Sequence, residues 1–140
     1  MLFPKKVKYR RFQRMRTNPK KLRIATRGVT ISFGVYGMKA ITPAYIRSNQ
    51  IEASRRVITR TIGKTGRVWI RIFPDRPWTQ KAAEVGMGKG KGDPQGFEVR
   101  VLPGHILFEI SGVPEDLARS AIIKAGKKLP VKVKFVTKNI

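Results

Sequence analysis

The chain has 140 residues, with 31 lysines and arginines against 8 acidic residues and a formal net charge of +23. This length predicts one domain, and this charge predicts a polyanionic partner, with nucleic acid the leading candidate and an anionic membrane the second. The absence of cysteine excludes disulfides and thiolate metal sites and fits a reducing compartment.

The distribution of charge argues against a membrane partner. The basic residues are spread over the whole chain and are not concentrated in one amphipathic helix, and the uncharged stretches are too short to span a bilayer. The N-terminus also lacks the apolar core of a signal peptide. We therefore expect a cytoplasmic protein. Import into an organelle is the alternative, because the start is basic and free of acids, although no serine precedes Ser32.

Residues 1–27 form a predicted basic N-terminal arm. They contain eleven basic residues and no acid, since the first acidic residue is Glu52. Repulsion between these charges predicts an arm that is poorly ordered alone. Phe3, Tyr9 and Phe12 alternate with the cations, and such rings stack on unpaired bases, so we expect the arm to fold against structured RNA. The alternative is a solvated tail whose rings pack on the edge of the domain.

The pattern after the arm predicts two short strands and a helix. Val29 to Phe33 and Val35 to Ile41 are rich in β-branched and aromatic residues. Thr42 as a cap and Pro43 at the first helical position then predict a helix that runs to Gly63. Arginines at 56 and 60 would lie on one face of this helix, with Lys64 just beyond its end.

Arg67 to Phe73 alternates strictly between apolar and basic or aromatic residues, which predicts a half-buried strand. Trp69 lies on the face that carries the arginines; we favour packing for it, with a stacking platform as the alternative. Pro74 and Pro77 predict the end of the strand and the start of an exposed loop over residues 74–96.

The loop contains the sequence VGMGKGKG from Val85 to Gly92, with glycine at every second position. Glycine lets backbone N–H groups approach a partner closely, and both these groups and lysine ammonium groups favour anions. The loop therefore fits a phosphate-rich surface; a flexible solvated connection is the alternative. Its glycines match neither the P-loop pattern nor the G-x-G-x-x-G pattern, so a nucleotide enzyme is not supported.

Three further elements complete the pattern. Phe97 to Leu102 and His105 to Ile110 predict a β-hairpin joined at Pro103-Gly104. A helix begins near Pro114, and Val131 to Phe135 predicts a last strand with a basic face. The order of elements predicts an α+β fold: a two-layer sandwich of a mainly antiparallel sheet with two helices, forming a single RNA-binding domain over residues 28–140.

Catalytic chemistry has no positive support. His105, the single histidine, lies beside a predicted turn, and the carboxylates are scattered, with Glu115 and Asp116 explained by the start of a helix. We predict no catalytic residue, no metal, no cofactor and no small-molecule substrate. A small hydrolase or nuclease is the alternative, and it would lose its activity on replacement of His105 or a carboxylate.

Several long motifs occur in order along nearly the whole chain: MLFPKKVKYRR, QIEASRRVITR, VWIRIFPDRP, MGKGKG, LPGHILFEI, GVPEDLA and KLPVKVKFVTK. Together they resemble the L-sixteen family of bacterial large-ribosomal-subunit proteins. The resemblance implies an α+β sandwich that binds 23S-type ribosomal RNA (rRNA) below the central protuberance. It also implies contact with A-site tRNA near the peptidyl transferase region, with P-site tRNA as a further candidate. The implied partners include neighbouring ribosomal proteins but no second copy of the chain.

The resemblance assigns RNA-binding roles to three groups. It places Lys5, Lys6, Lys8, Arg10 and Arg11 in a basic N-terminal motif and Arg55 and Arg56 in a double-arginine helix motif. It places Met87, Gly88, Lys89, Gly90, Lys91 and Gly92 in a tRNA-proximal loop. Position and charge add further predicted rRNA contacts: Arg14, Arg16, Lys20, Lys21, Arg60, Lys64, Lys132 and Lys134. Relatives often carry arginine directly before the loop motif, where this chain has Gly86.

A second class of function uses the same charge. A free nucleic-acid chaperone or DNA-compacting protein would bind duplex DNA and RNA indiscriminately, without a fixed RNA site. Competition with bulk DNA separates the two classes, because a ribosomal protein should retain its cognate RNA fragment.

Overall fold

The computed structural model describes residues 1–14, 18–88 and 90–138. Within these ranges the chain forms seven strands, two α-helices and one short 3₁₀ turn at Pro19–Lys21. The strands are β1 (Tyr36–Ala40), β2 (Ala44–Arg47), β3 (Arg67–Ile70), β4 (Arg76–Gln80), β5 (Asp93–Val101), β6 (Ile106–Ser111) and β7 (Val133–Thr137). The helices are α1 (Ser48–Ile62) and α2 (Glu115–Gly126). The predicted α+β class is confirmed.

The strands divide between two antiparallel sheets. The four-stranded sheet has the order β3-β6-β1-β7, and the three-stranded sheet has the order β2-β5-β4. In the larger sheet, Met38 of β1 lies opposite Phe108 of β6 on one side and Phe135 of β7 on the other. Directly opposed residues share a face, so this register gives the larger sheet one apolar face.

The core lies between the sheets and the helices. Helix α2 packs on β1 and β7, while α1 packs on α2 and contacts β3, β2 and β5, so it joins the two sheets. Ile51 and Ile58 of α1 are buried against the sheets. The side of α2 that faces α1 carries small residues, and the hydroxyl of Ser54 donates to the carbonyl oxygen of Ala125 at 3.1 Å. This bond satisfies a buried hydroxyl where the two helices approach closely.

The three-stranded sheet has one buried and one open face. Ile46 of β2 and Val101 of β5 are completely buried in the core. Tyr45 and Arg47 alternate with Ile46 along β2, so their side chains point to the opposite face. We call this opposite side the outer face of the three-stranded sheet.

Helix α1 begins later than predicted. Ala44–Arg47 pairs with Glu98 to Val101 as a strand, and this pairing overrides the local preference for helix. The hydroxyl of Thr42, the predicted cap, accepts a hydrogen bond from the backbone N–H of Lys132. The helix starts at Ser48, where the backbone N–H of Arg47 donates to Oε1 of Gln50 at 2.9 Å.

The predicted hairpin is wrong, although its turn is correct. The backbone N–H of His105 donates to the carbonyl oxygen of Leu102 at 3.2 Å, as a β-turn requires. The strands on either side, β5 and β6, belong to different sheets. The turn at Pro103-Gly104 therefore carries the chain from one sheet to the other. The alternation of residues along a strand cannot distinguish this arrangement from a hairpin. A strand has the same alternation whether it pairs with its neighbour in sequence or with other strands of its own sheet.

The predicted strand at residues 29–33 is also wrong, since this segment is irregular. It crosses the larger sheet on the side away from the helices, where Ile31 covers Gly37 of β1. The buried carboxylate of Glu109 holds the segment by accepting hydrogen bonds from the backbone N–H groups of Ser32 (2.5 Å) and Phe33 (3.0 Å).

The predicted exposed loop at residues 74–96 is shorter in the structure. Strand β4 occupies Arg76–Gln80 and β5 begins at Asp93, which leaves residues 81–92 as the connection. Pro77 does not prevent β4 from forming, because β4 lies at an edge of the three-stranded sheet, where one side needs no N–H donor.

The buried carboxylate of Glu109 gives a prediction about stability. Its Oε1 also accepts a hydrogen bond from Nη1 of Arg71 at 3.1 Å, so Glu109→Ala leaves three donors without their acceptor: this guanidinium and the backbone N–H groups of Ser32 and Phe33. We expect the free energy of unfolding, measured by urea denaturation, to fall by about 3 kcal/mol. Glu115→Ala, which removes an exposed pair with Arg119, should cost less than about 1 kcal/mol. Equal losses in the two variants would contradict this role for Glu109.

Candidate nucleic-acid interface

Ion pairs in the described residues involve arginine and not lysine. The paired arginines are Arg11, Arg14, Arg55, Arg56, Arg71 and Arg119. Because no lysine in the ranges 1–14, 18–88 and 90–138 has a carboxylate partner, the exposed lysines there keep their charge for an external anion. Phosphate is such an anion, and charge neutralisation of phosphates dominates affinity for nucleic acids.

The basic arm lies against the base of the Gly/Lys loop. The guanidinium of Arg11 donates from Nε to the carbonyl oxygen of Gly92 at 3.2 Å, and its Nη2 lies 3.5 Å from Oδ1 of Asp93. From the loop, the ammonium group of Lys91 donates to the carbonyl oxygen of Phe12. The structure thus brings together two groups that were predicted separately from the sequence.

The other described cations of the arm are also exposed: Lys5, Lys6, Lys8, Arg10, Arg14, Lys20, Lys21, Arg23 and Arg27. Lys20 and Lys21 belong to the 3₁₀ turn, where the side chain of Asn18 accepts a hydrogen bond from the backbone N–H of Lys20 at 3.0 Å. Two predicted contacts, Arg16 in the arm and Lys89 in the loop, lie outside the described residues.

The tip of the Gly/Lys loop is open. Met87 is fully exposed, and Gly88 and Gly90 both have φ of 95°, a conformation that favours glycine. Gly92 at the base differs, because a Cβ there would lie 2.7 Å from the backbone carbon of Gln80. The loop therefore has a closely packed base and an exposed tip at which a partner can approach the backbone.

Helix α1 presents the double-arginine motif. The carboxylate of Glu52 accepts hydrogen bonds from Arg55 (Nη2, 2.6 Å; Nε, 3.1 Å) and from Nε of Arg56 at 3.2 Å. Arg55 above all, then Arg56 and the N-terminal amino group lower the pKa of Glu52 from 4.5 to about 2, against the opposing effect of desolvation. Arg60 and Lys64 are exposed farther along. Glu52 therefore orients two guanidinium groups.

Strand β7 contributes a pair of like charges. Lys134 lies directly opposite Lys39 of β1, and like charges in this arrangement destabilise a sheet. A bound anion would relieve the repulsion. Lys132 is exposed just before β7. Lys39 was missed in the sequence because its neighbour is set by the pairing of two strands far apart in the chain.

In the described residues, neither the α1 arginines nor these lysines share an ion pair or hydrogen bond with the arm and loop.

A group of planar side chains on the outer face of the three-stranded sheet was also missed. The guanidinium of Arg47 lies 3.9 Å from the ring centre of Trp78, and that of Arg14 lies 4.1 Å from the ring centre of Tyr45. Arg76 lies between the rings of Tyr45 and Phe12, at 5.0 and 5.1 Å. Pro77 concealed β4 in the sequence and with it the alternation that places Arg76 and Trp78 on one face.

The residues considered for other roles are structural. Nδ1 of His105 accepts a hydrogen bond from the backbone N–H of Leu102 at 3.1 Å, and burial lowers the pKa of the imidazole. A neutral imidazole at this position completes the turn, as we interpreted it from the sequence. Trp69 packs on Phe33, with ring centres 6.3 Å apart.

Over the described parts of the chain, no three metal-ligating side chains converge, and no helix has the length and apolarity needed to cross a membrane.

Comparison with known proteins decides the family. The model of the family described as ribosomal protein L16p/L10e matches residues 4–136. The chain belongs to this family. A curated relative, the large ribosomal subunit protein uL16 of Gluconacetobacter diazotrophicus, is 52% identical over 138 residues, which cover 99% of this chain and 97% of the relative.

Membership confirms the resemblance seen in the sequence motifs and has two consequences. Because the family comprises structural ribosomal proteins, the chain has a structural role in the ribosome and is not an enzyme, as predicted. The bacterial relative supports the predicted cytoplasmic location over an organellar one.

The lowered pKa of Glu52 predicts a pH dependence of stability. A folded-state pKa near 2, below the ordinary 4.5, means that the stabilisation by Glu52 is fully present above pH 4.5 and is lost as pH falls towards 2. Glu52→Gln has no proton to gain, so its thermal midpoint should fall less between pH 5 and pH 2.5 than that of the wild type. The control is Glu84→Gln, in the exposed loop, which should follow the wild type. Identical pH profiles for wild type and Glu52→Gln would contradict the assignment.

Proposed function

We propose that the chain is a structural protein of the large ribosomal subunit that binds 23S-type rRNA below the central protuberance and contacts A-site tRNA with its Gly/Lys loop. Residues 1–27 act as a basic arm on a single RNA-binding domain formed by residues 28–140, in contact with neighbouring ribosomal proteins. P-site tRNA is a further candidate contact. In this role the protein supports subunit assembly and translation.

The contact between arm and loop carries this proposal. Arg11 and Lys91 connect the arm to the base of the loop, so two cationic segments that are distant in sequence form one surface. A surface of this kind can contact rRNA through the arm while the exposed tip of the loop, with Met87 and Gly88, extends towards another RNA. The family membership of the chain supports the ribosome as the setting.

The division between arginine and lysine supports the same role. Guanidinium groups bind carboxylates in a fixed bidentate geometry, whereas ammonium groups act as mobile point charges. In the described residues six arginines, among them Arg14, Arg55 and Arg71, hold the protein's own carboxylates. The exposed lysines then serve to neutralise phosphates along a folded RNA backbone.

Sedimentation tests the location. Large subunits washed in moderate salt should retain the protein, and an isolated complex with its rRNA fragment should survive competition with bulk duplex DNA. Affinity for the RNA should fall with salt at a logarithmic slope of up to roughly −0.9 for each phosphate neutralised. Release from the subunit in the wash, or equal competition by DNA, would instead support a free nucleic-acid chaperone.

The loop is tested by Lys89→Ala combined with Lys91→Ala. The variant should fold and join large subunits, because Lys91 is exposed and the bond from Arg11 to Gly92 still connects the arm to the loop. Subunits that contain it should nevertheless bind A-site tRNA several-fold more weakly. Filter binding of tRNA to the subunits measures this. The matched control is Lys127→Ala with Lys128→Ala, two exposed lysines after α2. Normal tRNA binding by the loop variant would refute the tRNA contact.

A further inference from the structure

The outer face of the three-stranded sheet carries a groove. Its volume is about 270 Å³, and the residues that line it include Phe12, Arg14, Arg47, Arg76 and Trp78. We propose that this groove binds one unpaired nucleotide of RNA, with the base stacked on the Arg47–Trp78 pair and the phosphate beside Arg76. The proposal rests on the proposed RNA-binding function and adds a specific site to it.

Arg47 and Trp78 form a flat stack on this face. Trp78 lies opposite Gly96 in the sheet, and a Cβ on Gly96 would lie 3.0 Å from Nε1 of the indole. The missing side chain therefore lets the indole lie down on the sheet. The guanidinium of Arg47 lies over the indole, 3.9 Å from the ring centre, and Arg47 is an exposed residue. A planar cation supported from below by an aromatic ring is a stacking surface for a base.

Charged residues lie beside this stack. Arg47 and Arg76 both lie opposite Glu98, one from each neighbouring strand, so three charged residues cross the sheet on one face. Glu98 is almost completely buried, and both of its carboxylate oxygens accept hydrogen bonds from Nη2 of Arg14, at 2.5 and 2.6 Å. The carboxylate is thus neutralised by Arg14. Arg47 and Arg76 have no carboxylate partner in the described residues. Arg76 donates to the backbone carbonyl oxygen of Gln13, a neutral acceptor, so both positive charges are left for a phosphate.

The size of the groove fits one nucleotide. A volume of 270 Å³ lies just below the range of roughly 300–1,000 Å³ typical of small-molecule sites. A single nucleotide matches this volume, whereas a base-paired helix could contact only the rim. The alternation of planar rings with guanidinium groups also favours a nucleotide over an acidic peptide, because carboxylates need the cations but not Trp78.

The test measures binding of the full chain to an eight-residue oligouridylate, to duplex RNA of the same length and to poly-glutamate. Trp78→Leu keeps an apolar side chain but removes the ring, so affinity for oligouridylate should fall roughly 5- to 150-fold, as expected for the loss of one base stack. Affinity for the duplex and for poly-glutamate should not change. The matched control is Trp69→Leu, which removes the other tryptophan, on the larger sheet, and should bind oligouridylate as the wild type does.

The salt dependence separates stacking from charge. Trp78→Leu should lower the affinity without changing the slope of log affinity against log salt, because no cation is lost. Arg47→Lys keeps the charge but removes the plane, so it should also weaken oligouridylate several-fold at an unchanged slope. Its control is Arg119→Lys, whose guanidinium lies over Phe135 at 4.5 Å, and which should have no effect.

A fluorescence measurement covers the case in which Trp78→Leu fails to fold. In Trp69→Phe, Trp78 is the single tryptophan, and oligouridylate should quench its emission in a saturable way while the duplex does not. Equal affinities for Trp78→Leu and Trp69→Leu, no quenching of Trp78, or a loss of poly-glutamate binding in Trp78→Leu would each overturn the nucleotide site. If the protein is retained in large subunits despite such a result, the proposed function stands and only this site is wrong.

Discussion

In a chain with a net charge of +23, the structure depends on the hydrogen bonds and ion pairs that its few carboxylates make. Two of them, Glu98 and Glu109, are almost completely buried, a state that requires paired and hydrogen-bonded partners. Each holds a segment that has no regular hydrogen-bonding of its own. Glu109 holds residues 32–33 on the larger sheet, and Glu98 holds Arg14 of the arm on the smaller one. In both cases one buried acid gives an irregular segment a defined position.

The two sheets allow this arrangement because each has one covered and one accessible face. Helix α2 covers β1 and β7 of the larger sheet, and α1 covers β3 of that sheet together with β2 and β5 of the smaller one. The apolar side chains that alternate along the strands are buried on this side. The polar side chains that alternate with these apolar residues point to the accessible faces. On the smaller sheet these are rings and guanidinium groups, and on the larger sheet they include Lys39 and Lys134 in direct opposition. A single flat sheet with two helices would offer one such face instead of two.

Local patterns were sufficient to predict some elements and not others. Strict alternation predicted β3, and a proline followed by two acids predicted α2, because both signals lie within one element. Strand β2 and the true start of α1 depend on pairing with β5, and the hairpin error has the same origin. The spacing of Arg56 and Arg60 predicted that they share one face of α1, and the family resemblance assigned Arg55 and Arg56 to a double-arginine motif. The group formed by Arg14, Arg47 and Trp78 could not, because it comes from the arm and two separate strands.

The errors in the predicted strands and the missed group of side chains have one physical cause. Where short strands are placed by pairing and not by periodicity, the identity of neighbouring side chains is also set by pairing. Arg47 and Arg76 meet across Glu98 only because β2 and β4 both pair with β5. Arg14 then neutralises Glu98 from outside the sheet and brings the arm to the edge of the groove. Phe12 and Arg14 of the arm are therefore part of the smaller sheet's outer face, and a nucleotide that enters this groove would contact arm and domain together.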